Sequence, residues 1–516
     1  MLDLKKIIKC IQSEITRKDI LIIIGIVVLF FLTRLVNLKN FPVFTDEGIY
    51  IRWAKVALQD PSWRFISLTD GRQPLQTWGT IPFLKMFPTD ALIAGRLFAV
   101  STGFISLLGV FTILWYLFKK HAALLGSFLY VVMPYFVFYD RMALADSAVN
   151  AGFIWMLFLS ILLAKTRRLD VALLFGFATG FSLLTKSSSR MFLMLAAFGP
   201  LFFINKKYLS SIWKTLNYYV LLGIGGSIGL LFYNIQRLSP YMHFVEKKNT
   251  TFVMTFQEFL DTPFKFFIHN VKLIPTFASW EAGFIIVMFS VWGFWKLWNN
   301  DRRLFFYLLA FTILPFIALS FFAKIVFPRY LIFFASILLI TGTYGLLQIK
   351  SIKVRLLFVG ILIFSMLIFD YPLVFDAKYA FFPKVDRDQY VEGVDAVWGV
   401  DEFMREMDVQ SKTQTIFLLA EGDFGLIADV LKVFDQQGNN IEIQGIWPLD
   451  EKDILEYQKI FDRKVYIVFS HRQEFPTNWP IKLYKVYDKP MSNIKLYVFE
   501  YKELLTPSVI IKEKAL

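Results

Sequence analysis

The residues best suited to chemistry are acids that stand beside long apolar segments. A pair of carboxylates, Asp46 and Glu47, follows the first apolar segment by only a few residues. A carboxylate held at such a position can act as a general base that removes a proton from a hydroxyl. The alternative is a plain helix N-terminus, where Asp and Glu are common because they interact favourably with the helix dipole. The spacing leaves both interpretations open.

Isolated basic residues form the second group, and each stands near the end of an apolar segment. They are Arg72, Arg141, Lys186, Arg190, Lys324 and Arg329. The last four of these residues form a set that can hold a phosphate at a membrane surface through charge-assisted hydrogen bonds. The alternative is that these long side chains only extend from the ends of membrane spans toward water. Arg141 also lies between two acids, Asp140 and Asp146, which can simply neutralise it.

The elements that must position these residues are membrane-spanning helices. The chain has 516 residues, of which 56% are hydrophobic and only 19% charged, and its mean hydropathy is +0.53. This composition excludes an ordinary soluble enzyme and a disordered chain. Because a span needs about 20 apolar residues, eleven spans are predicted, at 20–38, 91–118, 121–139, 146–164, 170–185, 190–204, 213–235, 280–298, 304–323, 330–348 and 354–370.

The distribution of positive charge predicts how the spans are oriented. The net charge is +14, and Lys and Arg collect before the first span and in every second short loop, including Lys119/Lys120, Lys206/Lys207 and Arg302/Arg303. Such loops are cytoplasmic by the positive-inside rule. A multi-pass protein of the cell membrane is therefore predicted, with a cytoplasmic N-terminus and an extracytoplasmic C-terminal domain. The single cysteine, Cys10, precedes the first span.

Two domains are predicted from the change in composition after Tyr371. Residues 1–370 form the transmembrane module, with interfacial helices predicted near 49–57 and 252–267. Residues 371–516 alternate between short β-rich runs and amphipathic helical patterns, which indicates a water-soluble α+β domain. The strands are predicted at Thr415–Ala420, Lys464–Ser470, Lys482–Tyr487 and Lys495–Tyr501, and the helices at Asp395–Met407 and Phe424–Phe434.

Five short motifs, in their order along the chain, resemble those of the GT-C integral membrane glycosyltransferases of the protein O-mannosyltransferase and lipid A aminoarabinose transferase type. They are Asp46-Glu47, Arg72-Gln73-Pro74-Leu75, Arg141-Met142-Ala143-Leu144-Ala145-Asp146, Leu183-Leu184-Thr185-Lys186 and Pro328-Arg329-Tyr330. The chain departs from that pattern twice. Gln73 stands where these proteins usually have Lys or His, and Ser187-Ser188 replace a Gly-Pro.

The resemblance implies a sugar donor carried on a polyprenyl phosphate and an acceptor that is a protein, a lipid or a cell-envelope glycan. It implies a single displacement in which Asp46 acts as the general base, with Glu47 a weaker candidate and Asp146 orienting the acceptor or a neighbouring arginine. The donor phosphate would be bound by Arg72, Arg141, Lys186 and Arg329.

Three further expectations concern partners and alternatives. Asp46 and Glu47 can also bind a divalent metal, although the sequence offers no evident third ligand. No nucleic-acid partner is expected, since the positive charge follows the membrane topology. The competing function is a secondary transporter or a lipid flippase, which would also have many spans and a few charges at the membrane edge.

Overall fold

The structure is a computed structural model that describes residues 15–203, 208–436, 438–458 and 463–502. Cys10, Lys206 and Lys207, which entered the sequence predictions, lie outside the described residues. Contacts between Cα atoms divide the chain into two compact units. The first comprises Met1–Asn40, Trp53–Pro88 and Ile93–Pro383, and the second comprises Phe41–Arg52, Thr89–Leu92 and Lys384–Leu516.

The first unit consists mainly of apolar α-helices. In chain order, the helices up to residue 375 are α1 (Arg17–Leu35), α2 (Thr45–Gln59), α3 (Leu75–Met86), α4 (Ala91–Phe118), α5 (Lys120–Val132), α6 (Pro134–Tyr139), α7 (Asp146–Thr166), α8 (Leu169–Thr185), α9 (Ser189–Ala196), α10 (Tyr208–Asn234), α11 (His243–Phe252), α12 (Phe256–Asp261), α13 (Phe267–Ala282), α14 (Phe284–Asn300), α15 (Arg302–Phe322), α16 (Ile332–Leu347) and α17 (Ile352–Phe375). Short 3₁₀ turns join them at Pro61–Trp63, Ile66–Asp70, Gly199–Phe202, Ile235–Leu238, Pro240–Met242, Pro328–Leu331 and Ala377–Tyr379.

A multi-pass membrane protein is confirmed by the length and hydropathy of these helices. Within the described residues, six helices are long and apolar enough to cross a membrane, or seven if the bent pair α13–α14 is one span. The six are Ala91–Phe118, Asp146–Thr166, Ser211–Leu238, Arg302–Phe322, Pro328–Leu347 and Ile352–Phe375. The apolar helices α5 and α8 are shorter than this limit, and α1 carries charged residues at both ends.

Three predicted segments differ in the structure. The expected span at 121–139 is divided at Met133 into α5 and α6, because the next residue, Pro134, has no backbone N–H for a helical hydrogen bond. The expected span at 190–204 is only the eight-residue helix α9 followed by a 3₁₀ turn at Gly199–Phe202, because Pro200 has no backbone N–H for a helical hydrogen bond. The expected interfacial helix at 252–267 is also interrupted, since α12 ends at Asp261. The next helix, α13, then bends by 108° into α14 at Gly283, whose φ of +89° favours glycine.

The second unit is built around a mixed β-sheet and confirms the predicted α+β class. Its strands are β2 (Ala396–Val397), β3 (Ile416–Glu421), β4 (Ile441–Ile446), β5 (Lys464–Phe469), β6 (Ile481–Asp488) and β7 (Lys495–Tyr501), with helices α18 (Lys384–Arg387), α19 (Val400–Gln410), α20 (Ile427–Phe434) and α21 (Glu451–Tyr457) and a π-helical turn at Asp388–Glu392. In the described residues, five strands pair in the order β4-β3-β5-β7-β6.

The sheet has a parallel part and an antiparallel part. β3 pairs in parallel with both β4 and β5, whereas β7 pairs antiparallel with β5 and β6. The four predicted strands are confirmed as β3, β5, β6 and β7. Sequence analysis missed β4, although Glu442 and Gln444 are exposed between less exposed neighbours, as the alternation of a half-buried strand requires. The core on one face of the sheet includes Leu419, Ile467 and Phe469.

A separate two-stranded sheet fixes the start of α2. Strand β1 (Val43–Phe44) pairs antiparallel with β2, so that Val43 lies opposite Val397 and Phe44 opposite Ala396. Helix α2 begins at the next residue, Thr45. The segment that carries Asp46 and Glu47 therefore belongs to the same compact unit as the C-terminal sheet.

Candidate active site

Lys186 and Asp146 form an ion pair in the first unit. Lys186 is the C-terminal cap of α8, and Asp146 is the first residue of α7. The Nζ atom of Lys186 donates a hydrogen bond to Oδ1 of Asp146 over 2.8 Å. The Asp146 side chain is 5% exposed, whereas that of Lys186 is 32% exposed. The pair therefore fixes one face of the ammonium group and leaves part of the lysine side chain accessible.

An aromatic ring brings a second cation to this pair. The Nζ atom of Lys186 lies 4.2 Å from the ring centroid of Tyr330, and the guanidinium carbon of Arg329 lies 5.4 Å from the same centroid. The ring's negative face attracts both cations, so that Lys186 and Arg329 are held at the same aromatic side chain. We call Asp146, Lys186, Arg329 and Tyr330 the Lys186 cluster. Both cations can donate charge-assisted hydrogen bonds to an anion.

A polar turn extends the cluster through the residue after Lys186. The side-chain amide of Gln73 donates to the hydroxyl of Ser187 over 2.8 Å. The two departures from the GT-C pattern therefore contact each other. The neighbouring Arg72 is paired with Asp70, whose other oxygen accepts from Lys248 over 2.7 Å.

Arg141 has a different environment from the other predicted phosphate-binding residues. Its guanidinium group donates to four backbone carbonyls at the C-terminal end of α1. The acceptors and distances are Thr33 at 2.8 Å, Arg34 at 3.3 Å, Val36 at 2.8 Å and Asn37 at 2.6 Å. The last carbonyls of a helix have no partner within the helix, and Arg141 supplies one while remaining only 2% exposed. In this structure Arg141 caps a helix.

A buried polar network next to Arg141 was missed by sequence reasoning. Arg34 and Asp140 form an ion pair over 3.3 Å, and both side chains are completely buried. Asp140 also accepts hydrogen bonds from Tyr130 at 3.1 Å and from Ser147 at 2.7 Å. A signal was available, because Arg34 lies within the first predicted span and a charge at such a depth normally has a partner.

The two acids of α2 have different environments. Glu47 is fully buried, and its carboxylate accepts from the backbone N–H of Phe44 over 3.1 Å. This is the return hydrogen bond of a helix N-terminal capping motif. Asp46 is only half-buried. The structure thus assigns Glu47 a structural contact at the helix N-terminus, and it leaves the Asp46 carboxylate partly accessible to solvent.

The predicted site residues therefore fall into three groups. Asp146, Lys186 and Arg329 lie together in the Lys186 cluster, and Arg72 precedes the residue that contacts Ser187. Arg141 is engaged at the end of α1. Asp46 and Glu47 lie in the second unit. Within the part of the chain that the structure describes, no group of three or more His, Cys, Asp or Glu side chains is arranged to hold a metal ion.

Comparison with other proteins identifies the class of fold. Residues 72–228 match the family model of dolichyl-phosphate-mannose-protein mannosyltransferases. This range contains Arg72, Arg141, Asp146 and Lys186. The comparison with curated protein sequences gives no match.

The solved structures most similar to the chain include ArnT from Cupriavidus metallidurans. The apo form has a TM-score of 0.60 and 12% identity over 93% of this chain and 97% of the other. The form bound to undecaprenyl phosphate has a TM-score of 0.60 and 11% identity over 94% and 98%. The Archaeoglobus fulgidus oligosaccharyltransferase is also similar, with a TM-score of 0.49 and 13% identity over 87% and 67%. The family match and the ArnT-like fold confirm the resemblance to GT-C glycosyltransferases.

Proposed function

We propose that this protein is a glycosyltransferase that transfers a sugar from a polyprenyl-phosphate-linked donor to a protein, a lipid or a cell-envelope glycan. The observation that carries the proposal is the Lys186 cluster, in which Lys186 and Arg329 contact one tyrosine ring and Lys186 pairs with the buried carboxylate of Asp146. A phosphate group suits such a site because it accepts charge-assisted hydrogen bonds from both cations. The ArnT relative that was crystallised with undecaprenyl phosphate supports the same donor class.

The proposed reaction is a single displacement at the anomeric carbon of the donor sugar. The acceptor oxygen forms a bond to that carbon while the bond to the phosphate oxygen breaks, and the electron pair leaves with the polyprenyl phosphate. Asp46 takes the proton of the acceptor hydroxyl as general base. Lys186 and Arg329 stabilise the negative charge that develops on the departing phosphate.

The remaining predicted residues have supporting roles in this proposal. Asp146 orients the Lys186 ammonium through their hydrogen bond of 2.8 Å. Arg72 adds positive charge beside the Gln73–Ser187 contact. Arg141 supports the end of α1 through its carbonyl contacts, and Glu47 supports the N-terminus of α2.

The proposal also includes the orientation expected from the charge pattern. The N-terminus is cytoplasmic and the C-terminal domain extracytoplasmic, so the reaction takes place on the outer face of the cell membrane. A reporter that is active only outside the cytoplasm should be active when fused after Leu516 and silent when fused at Lys120. The reverse pattern would contradict a reaction on the outer face.

The reaction is tested with purified protein and a polyprenyl-phosphate-linked mannose, the sugar that the matching family suggests. Release of free polyprenyl phosphate should require an acceptor extract from the cell envelope. Asp46→Asn should reduce turnover by about 100-fold to 10,000-fold, as expected for a lost general base, without changing donor binding. Asp488→Asn, at a surface acid paired with Lys495, is the matched control. If no linked hexose or pentose is consumed, yet the lipid crosses liposome membranes, the protein is a flippase.

A further inference from the structure

The N-terminus of α2, which carries Asp46, is attached to the C-terminal domain at two places. The first is a pair of hydrogen bonds between Thr45 and Asp395. The backbone N–H of Thr45 donates to the carbonyl of Asp395 over 3.1 Å, and the Thr45 hydroxyl donates to Oδ1 of Asp395 over 3.0 Å. These bonds continue the pairing of β1 with β2, and Thr45 is only 5% exposed. The residue next to Asp46 is therefore held through both its backbone and its side chain.

The second attachment lies two turns further along α2. The guanidinium of Arg52 donates to the buried carboxylate of Asp429 and, over 3.4 Å, to Asp423. Between the two attachments, Gly48 lies so close to α20 that a Cβ atom there would be 3.2 Å from Cγ2 of Val430. The first two turns of α2 are thus fixed to the C-terminal domain, and the Asp46 side chain starts from a rigid backbone.

We propose that Asp395 and Thr45 are positioning residues for Asp46, so that the C-terminal domain takes part in the reaction by holding and tuning its general base. The inference rests on the proposed function, in which Asp46 is that base. Thr45 fixes the direction in which the next side chain leaves the helix. Asp395 places a second negative charge beside Asp46, which makes Asp46 bind a proton more strongly.

The electrostatics around Asp395 agree with this geometry. Burial raises the pKa of Asp395, and the charge of Asp46 adds to that rise. The Thr45 hydroxyl, His471 and Lys489 act in the opposite direction. Lys489 is itself buried, and burial lowers its pKa to about 8. Asp46 is therefore one of the charges that act on the Asp395 carboxyl.

Two variants separate the charge of Asp395 from the hydrogen bond of Thr45. Asp395→Asn removes the charge and keeps an Oδ1 acceptor for the Thr45 hydroxyl. Thr45→Val keeps the charge and removes the hydroxyl, and Thr45→Ser restores it. Asp488→Asn changes a surface acid of the same unit that is 77% exposed and serves as the matched control.

The measurement is the pH dependence of kcat/KM for release of polyprenyl phosphate from polyprenyl-phosphate-linked mannose by the full chain. Asp395→Asn should shift the acidic limb to lower pH, because the substitution removes a negative charge that opposes ionisation of the neighbouring base. Thr45→Val should lower kcat by about tenfold with little change in KM, since the base is displaced from its position. The acidic limb should not shift, because the charge of Asp395 is kept. Thr45→Ser should recover most of that loss.

Thermal unfolding distinguishes positioning from a purely structural role. A carboxyl whose pKa is raised by folding contributes stability at low pH that is lost as the pH rises through its folded pKa. At pH 7 the Asp395→Asn protein should therefore unfold at no lower temperature than the wild type. A lower Tm together with an unchanged pH profile would make Asp395 a structural residue and overturn the proposal.

The failure of this inference can be told apart from failure of the proposed function. If Asp46→Asn abolishes turnover while Asp395→Asn and Thr45→Val leave the pH profile and kcat unchanged, only the positioning roles are wrong. If Asp46→Asn is fully active, the general base is another group, and the base assignment and the positioning roles both fall while the transferase function stands. If the wild-type protein releases no polyprenyl phosphate, the proposed function itself fails. Asp395→Asn can also be introduced into the Asp46→Asn protein. If it still shifts the acidic limb there, it acts on a group other than Asp46, and the positioning role is overturned.

Discussion

Lys186 and Arg141 are both basic residues that follow or precede apolar helices, but the structure uses them differently. The Lys186 side chain is 32% exposed and pairs with Asp146 beside the Tyr330 ring. Arg141 is 2% exposed and donates to four carbonyls at the end of α1. A guanidinium whose donors are engaged by backbone carbonyls stabilises the fold, whereas an accessible ammonium can bind a ligand. The type of partner therefore separates the two roles.

The acids next to these cations show the same contrast. Asp140 is fully buried and accepts from Arg34, Tyr130 and Ser147. Asp146, at the start of α7, accepts from the partly exposed Lys186. The region from α6 to α7 thus places a structural ion pair close in sequence to a candidate ligand-binding pair. Substitutions in the first should change stability, and substitutions in the second should change binding.

The largest effect is expected from breaking the buried pair with Asp140→Ala. Removing one partner leaves the Arg34 charge buried without its carboxylate, which costs about 3–5 kcal/mol. The variant should accumulate poorly and unfold at a much lower temperature, as measured by thermal unfolding in detergent. Lys186→Gln, which opens a partly exposed pair, should unfold near the wild-type temperature. Equal Tm losses in the two variants would remove the distinction between the pairs.

The next effect is expected in ligand binding from Lys186→Gln. Each charge-assisted hydrogen bond to a phosphate contributes about 1.5–3 kcal/mol, so the Kd for a short-chain polyprenyl phosphate should rise by roughly tenfold to a hundredfold. Arg329→Gln should act in the same direction. The matched control is Lys120→Gln, at a lysine outside the candidate set that pairs with Asp19 over 3.0 Å. Wild-type binding by both cluster variants would show that the phosphate is held elsewhere.

A smaller effect on stability is expected from Arg141→Lys. An ammonium group cannot reproduce the fork of donors by which a guanidinium reaches several carbonyls. About 1–2 kcal/mol of stability should be lost with the missing contacts at the end of α1, which is visible as a lower Tm. Polyprenyl phosphate binding by the folded protein should stay within twofold of the wild type. A Kd raised as strongly as in Lys186→Gln would return Arg141 to the phosphate site.

The smallest effect is expected from Ser187→Ala, which removes the hydroxyl that accepts from Gln73. One neutral hydrogen bond contributes about 0.5–1.5 kcal/mol, so KM for the donor should rise by about twofold to tenfold while Tm changes little. Gln73→Ala should give a similar value, and the double variant should be no worse than either single one. Additive losses in the double variant would show that the two side chains act separately.

Much of the fold could be predicted because hydropathy and alternation are local properties of the chain. The long spans such as α4, α15 and α17 follow from their apolar runs, and β3, β5 and β7 follow from their β-rich composition. The prediction of a span at 190–204 was wrong because Gly199-Pro200 interrupts the helix within an apolar run. The candidate site was predictable only in part. Lys186 and Arg329 are 143 positions apart in sequence, and nothing local shows that Tyr330 brings them together.

Arg141 shows why the other contacts of the candidate site could not be predicted from the sequence. In the sequence, Arg141 stands between two acids and beside a span. A cation that binds a ligand can have the same neighbours. Only the position of α1's last carbonyls shows that its donors are engaged within the fold. The same holds for Asp46 and Glu47, which are adjacent in sequence but differ in burial because one of them closes the helix N-terminus.

The pairing of β1 with β2 has a consequence for biosynthesis. Thr45 is synthesised early, but its partner Asp395 is 350 residues further along the chain. Contacts that distant form late, because the loop between them must first be made and closed. The nascent chain can insert many of its apolar helices while the segment around Asp46 still awaits its partners. If Asp46 is the general base proposed above, catalytic competence appears only when translation has passed β2, and a chain that ends before β2 should lack transferase activity.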